Sequence, residues 1–247
     1  MTYCNSVARL FLICALFIQA LAVQAVPQIE GRFIELQNTY NKAEWTTISF
    51  SQVYDEPPAV FMLSTNQGGN PAIVKIRNVT RTGFEALPLE PSGEDGPHIT
   101  MGGHYLAIAY GVHEFPNGDI VEVGKMELDA TTIQASTSSP WYIPIGTLVP
   151  GTEDARYAQV PLQTNFGEKP VFFHSIQTVN NQVDVNGKKP PNEHLLPFLT
   201  IAAKYEAPSY YIALEASETD FEPVTRPETV AYMATTEGFD RRFFDDN

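Results

Sequence analysis

Glu90, Glu94, Asp95 and His98 fall within one nine-residue stretch, Glu90-Pro91-Ser92-Gly93-Glu94-Asp95-Gly96-Pro97-His98. Carboxylates and an imidazole this close together can coordinate a hard cation such as calcium, or take hydrogen bonds from sugar hydroxyls. The spacing matches no defined calcium loop, so a solvated acidic turn stands beside those readings, and no resident cofactor is expected. His98, His104 and His113 lie six and nine residues apart, which fits neither a helix-borne pair nor a zinc arrangement, and they read as scattered surface histidines. Trp141 and Tyr142 sit in a stretch rich in Ser, Thr and Pro, either as exposed aromatics of a binding surface or as a plug on neighbouring structure. Phe221 follows Glu218 and Asp220 and could stack on a ring beside acidic groups. No Gly-x-Ser-x-Gly elbow and no Gly-rich phosphate loop accompanies these residues, so the chain is read as non-enzymatic, with no catalytic residue assigned.

The elements that must position such residues start after residue 25. Arg9 precedes an apolar run from Leu10 to Val23, and Val23-Gln24-Ala25 offers the small residues a signal peptidase reads, so residues 1–25 are expected to be a secretory signal. A spanning helix needs about 20 apolar residues. This run stops at Gln24 with Pro27 behind it, so no membrane span is expected after cleavage. Both cysteines, Cys4 and Cys14, lie in the signal, which leaves the mature chain without disulfide or thiol. The formal charge is −14, and losing Arg9 makes it −15 (−14 − 1). Such acidity argues against nucleic acid or anionic lipid as partner, since both need a basic footprint. Residues 239–247 read as an acidic, solvated tail.

Strand signals dominate the rest. Short runs rich in β-branched and aromatic residues, 46–50, 59–64, 72–76, 83–89 and 105–110, are separated by Gly, Pro, Asn and Asp. A second set follows at 158–162, 171–178, 198–204, 210–215 and 230–235. The sets pair. Trp45, Ile48, Phe50, Tyr54, Glu56, Pro58 and Val60 meet Tyr157, Val160, Leu162, Phe166, Glu168, Pro170 and Phe172 at a constant offset of 112. Leu89 and Glu90 meet Leu214 and Glu215 at 125, and Tyr105 and Ala107 meet Tyr232 and Ala234 at 127. Upstream, Gly31 falls against Gly124 at 93, so the second set carries about 19 extra residues (112 − 93), placed in a loop at 131–151. The fold expected is all-β: two tandem antiparallel β-sandwiches over 31–128 and 129–238, the second diverged. Ile48, Phe50, Val60, Phe84 and Leu106 should be interior, with Val160, Leu162 and Phe172 in the second set. Trp45 and Tyr157 are expected to pack into the cores. Between Asn78 and Gly83 the chain should turn as a hairpin, with the glycine free to take a positive φ.

The runs Trp45-Thr46-Thr47-Ile48-Ser49-Phe50, Tyr54-Asp55-Glu56-Pro57-Pro58-Ala59-Val60 and Asn78-Val79-Thr80-Arg81-Thr82-Gly83-Phe84 resemble the H-type lectin module. The run from Gly31 to Leu128, with Asn70-Pro71, Glu90-Pro91 and Asp95-Gly96-Pro97-His98, is similar to the lectin-like region of secreted MshQ-type proteins, which are encoded with the mannose-sensitive haemagglutinin pilus. The resemblance implies a protein of the periplasm, cell surface or surroundings of a Gram-negative bacterium. It further implies that the chain binds a glycan or takes part in a surface assembly. The loop where H-type lectins carry a tryptophan is here Glu90–His98, which has none. A non-catalytic interaction module of a pilus or other surface assembly is the alternative, and a hydrolase of unknown type the third.

Overall fold

The computed structural model describes residues 28–37, 44–65, 69, 72–90, 98–115, 117–129, 133–134, 157–181, 199–216 and 224–236. The signal segment, Glu94, Asp95, Trp141, Tyr142, Phe221 and the tail lie outside them, as does the 131–151 loop apart from two residues. The described residues form strands and no helix. In the N-terminal half these are β1 (Ile29–Leu36), β2 (Thr46–Ser49), β3 (Ala59–Ser64), β4 (Ile73–Arg77), β5 (Gly83–Leu89) and β6 (Met101–Ile108). Next come β7 (Gly111–Glu114), β8 (Ile120–Leu128), β9 (Ile133–Gln134), β10 (Ala158–Gln159), β11 (Val171–Ile176), β12 (Leu199–Glu206), β13 (Ser209–Ala216) and β14 (Glu228–Thr235).

Two three-stranded antiparallel sheets, β1-β6-β3 and β2-β5-β4, enclose the first core. Alternation selects the inward side chains: Ile48 of β2, Val60 of β3, Ile76 of β4, Phe84 and Ala86 of β5, and Tyr105 and Ala107 of β6. Phe50 and Tyr54 close this core from the segment after β2, their ring centroids 5.1 Å apart. The same order recurs further on, as β8-β14-β11, with β7 added beside β8, and β10-β13-β12. A second core of Val160, Tyr210, Ile212, Leu214, Val230 and Tyr232 lies between them, with Leu162 and Phe172 partly buried against it. Phe172 stacks on Tyr210 at 4.3 Å.

Ladder registers correct three of the residue pairings read from the sequence. Glu30 pairs with Ala107 and Glu122 with Ala234, so β1 matches β8 at an offset of 92 (122 − 30), and Gly31 falls opposite Val123 rather than Gly124. Leu89 lies on the outer face of its sheet with Trp45 and Ile73, whereas Leu214 points into the second core. An offset of 126 puts Ala86 on Ile212, both inward; the sequence pairing slipped by one residue, which in a strand exchanges the faces. Glu90 therefore does not correspond to Glu215. The strands β7 and β8 precede the boundary expected at Leu128, yet they hydrogen-bond into the sheet of β14 and β11.

The halves join through the outer face of β1-β6-β3. Ala59, Phe61 and Ile108 pack on Val121, Val123, Ala231 and Met233. Leu106 joins this interface instead of the first core.

Candidate functional site

The loop from Glu90 to His98 begins and ends inside the protein. Glu90 is 3 % and His98 2 % exposed, and His98 Nδ1 lies 2.9 Å from the Ile99 carbonyl oxygen. Both ends of the loop are thus covered by protein and not solvated. His104 is exposed on β6 with its ring edge against Phe33, and His113 of β7 contacts the Ala109 carbonyl at 2.9 Å, so the three histidines do not converge.

Trp45 is likewise displaced from its expected place. It packs on Leu87, Leu89 and Ile73 outside the first core, with the Arg77 guanidinium 4.1 Å above the ring. In the other half Lys204 stands 4.7 Å over Tyr157. Arg77 is paired with Glu85 and Lys204 with Tyr211 in their ladders, so a cation from the fourth strand covers the aromatic before the second strand in each half.

A second shared device anchors the segment that follows the second strand. Glu30 accepts from Ser51 N at 2.9 Å and from the hydroxyls of Ser51 and Tyr105. Glu122 accepts from Gln163 N and Thr164 N, both at 2.8 Å. Burial works to raise the Glu30 pKa, but the hydrogen bonds from Ser51 and Tyr105 outweigh it and hold the carboxyl below its usual value.

The halves differ at the hairpin facing that segment. Seven residues lie between paired Arg77 and Glu85, and six between paired Lys204 and Tyr211 (78–84 against 205–210). The longer loop opens with Asn78 at φ 50°, and Thr80 N donates to Gly83 O at 2.8 Å. The left-handed residue is thus the asparagine. Gly83 serves close approach, since a Cβ there would lie 2.2 Å from the Ile48 carbonyl oxygen. This loop curls onto the anchored segment: Tyr54 N donates to Arg81 O at 2.9 Å, Arg81 Nε donates to Tyr54 O at 2.6 Å, and Tyr54 is fully buried. The shorter hairpin instead zips to the Glu206–Ser209 pair and turns at Ala207-Pro208.

Between that turn and the segment from Gln159 to Pro170 a groove of about 420 Å³ remains open. Phe166, aligned with buried Tyr54, is only half buried here, and Gln163, Asn165 and Glu168 are exposed along the rim. Tyr205 forms the far wall, with Lys169 Nζ 5.1 Å from its ring centroid. Asn165 Oδ1 accepts from Gly167 N at 3.0 Å and sets the curve of the loop, with Gly167 at φ 75°. Amides, a carboxylate and aromatic rings around a groove of this volume suit a neutral polyhydroxylated ligand. Phe166 and Glu168 enter the sequence reading only as repeat partners of Tyr54 and Glu56 and none of the groove residues as a ligand group, though the shortened hairpin between equivalent strands is a signal present there.

A further cleft, of about 280 Å³, opens where β3, β4, β11 and β12 meet. Gln177 bridges the halves, its amide 2.9 Å from Val60 N and 2.8 Å from Val60 O. Lys75, 4 % exposed, donates to the Leu199 carbonyl. Burial pushes its pKa down to about 7, against the opposing pull of the Glu228 carboxylate. Glu228 is itself fully buried and accepts from Thr178 Oγ1, Asn180 N and Asn181 N.

No family model matches the chain, and no curated protein matches it.

Proposed function

We propose that the chain is a secreted carbohydrate-binding protein built from two copies of an H-type-lectin-like sandwich, with its saccharide site in the groove of the C-terminal half. The observation that carries this reading is the groove itself. The hairpin and the anchored segment close on each other in the first half and stand apart in the second, which leaves Phe166, Gln163 and Glu168 facing solvent. Glu168 and the Gln163 amide would take the hydroxyls of a sugar ring, and Phe166 and Tyr205 its apolar face. Such a site is shallow, so millimolar to micromolar affinity for one residue is expected, raised by multivalent display.

The test is a glycan array on the mature protein, followed by titration of the saccharides that bind. The double variant Gln163→Ala with Glu168→Ala should lose binding by about tenfold or more while its melting temperature stays near that of the parent, because both side chains are exposed. Unchanged affinity in that variant would remove the groove from the reading. No binding by the parent protein anywhere on the array would remove the lectin function.

The alternative, an interaction module of a surface assembly, is favoured by one observation. Phe33, 59 % exposed, and Leu63, 70 % exposed, flank His104 on a single rung of β1-β6-β3. Association with a pilus or surface protein that Phe33→Ser abolishes, in a protein silent on the array, would support that reading.

A further inference from the structure

The cleft where β3, β4, β11 and β12 meet is framed by an outermost strand of each sheet. In an antiparallel ladder, alternate residues turn their backbone groups away from the partner strand. On β3 the bond from Thr65 N to Gly102 O, 3.0 Å, assigns the odd-numbered residues to β6, so Val60, Met62 and Ser64 point N–H and C=O off the free edge. Gln177 bears this out: its side-chain amide accepts from Val60 N at 2.9 Å and donates to Val60 O at 2.8 Å. That amide sits on the edge as the peptide group of an added strand would. Met62 and Ser64 are the next two rungs, and both line the cleft. Among the described residues no group occupies their outward N–H and C=O. Ser64 is exposed and Met62 half-buried, so the slot opens at Ser64 and ends at Gln177. Ile73, Ile176 and Ile201 give it apolar walls. Lys75 lies buried behind them, held by the Leu199 carbonyl, and takes no part. Burial lowers the pKa of His174, which stays uncharged at neutral pH.

We propose that this slot receives a short, extended, uncharged peptide of a partner protein, which adds as a strand to the free edge of β3 at Met62 and Ser64. One peptide residue exchanges N–H and C=O with Met62, and the residue two places along does so with Ser64. The side chains of the added strand alternate between two faces. One set meets the isoleucine walls, and the other lies beside Leu63, which is 70 % exposed on the opposite face of β3. Both surroundings are apolar, so β-branched residues suit them, and a charge against the isoleucines would lose its water without gaining a partner. Gln177 already fills the Val60 rung, so the added strand cannot run on past it, and the paired stretch is limited to about three to five residues. The slot reads a peptide main chain, and its occupation does not depend on the saccharide groove.

The experiment titrates the mature protein with a capped five-residue peptide of alternating valine and threonine, and follows single amides by NMR hydrogen–deuterium exchange. Exchange at Met62 and Ser64 should slow about tenfold once the peptide stands at ten times its Kd. The Leu63 amide, already bonded to β6, should not change, and this alternation is the signature of strand addition. Two further peptides carry N-methyl groups on their odd or on their even residues. One of the two should lose affinity by about tenfold, because it has lost the donors facing β3, while the other keeps it. Ser64→Pro, which removes one donor at the open end of the slot, should also weaken binding. Should that variant fail to fold, the exchange pattern and the methylated pair on the parent protein decide alone. Unchanged exchange at Met62 and Ser64 with millimolar peptide overturns the proposal, as do methylated peptides that bind alike. Slowing that grows with protein concentration in the absence of peptide would put a second copy on this edge and equally overturn it.

Discussion

Glu30 and Glu122 do equivalent work in the two halves with different strengths of burial. Glu122 is almost completely buried and receives two backbone N–H groups at 2.8 Å. Glu122→Ala takes the acceptor from two part-buried backbone donors, and a loss of about 1–3 kcal/mol in the denaturant-derived stability is expected. Glu30 adds a pH effect. Its folded pKa lies below the model value of 4.5, so its contribution is present above that value and is lost as pH falls through the lower, folded one. Glu30→Gln should therefore flatten the acid limb of a melting-temperature profile. Gly83→Ala should be the costlier change, since the added carbon meets backbone at 2.2 Å, where no side chain can rotate away. At this scale the sequence was partly legible. The inward places of Ile48, Phe50, Val60 and Phe84 follow from alternation alone. The burial of Glu90 and His98 does not, because a run of polar residues between Gly and Pro looks the same whether its ends are covered or bare.

At the scale of elements, strands β3 and β5 match their sequence expectations end to end, and the other expected strands differ by a few residues at their ends. Both are short apolar runs fenced by Pro, Asn or Gly. β1 and β8 were not read as strands: each breaks its apolar alternation with Gly and charge, Gly31-Arg32 in one and Gly124-Lys125 in the other, and their pairing with β6 and β14 supplies what the pattern lacks. The hairpin of the first half offers a direct check on why only one groove is open. Arg81→Ala removes the hydrogen bond from Nε to Tyr54 O and should cost about 1–2 kcal/mol. It should also speed exchange of the Tyr54 amide, measured by hydrogen–deuterium exchange. If exchange there is unchanged, the loop is not what seals the first half.

Across the whole molecule, the junction is where single-half reasoning ends. Lys75 sits between Val74 and Ile76 on a strand whose alternation turns it away from the first core, which by itself reads as exposure; the other half covers it. Its folded pKa of about 7 is below the unfolded 10.5. Between those values the unfolded chain binds the extra proton, so stability should climb as pH rises from about 7 toward 10, and Lys75→Met should remove that climb. Tyr54 and Tyr110, with pKa values raised by burial to about 12, stay neutral across this window. Met233→Glu, placing a charge among Phe61, Val121 and Val123, should split calorimetric unfolding into two transitions if each half keeps its own core. Gln177 carries a consequence for how the molecule behaves in a crowd. β3 is the last strand of its sheet, and a bare outermost strand is a template on which another chain can lay itself down. By occupying both the N–H and the carbonyl of Val60, one side-chain amide takes the rung at which such templating would begin, so the contact that joins the halves also keeps neighbouring copies from polymerising edge to edge.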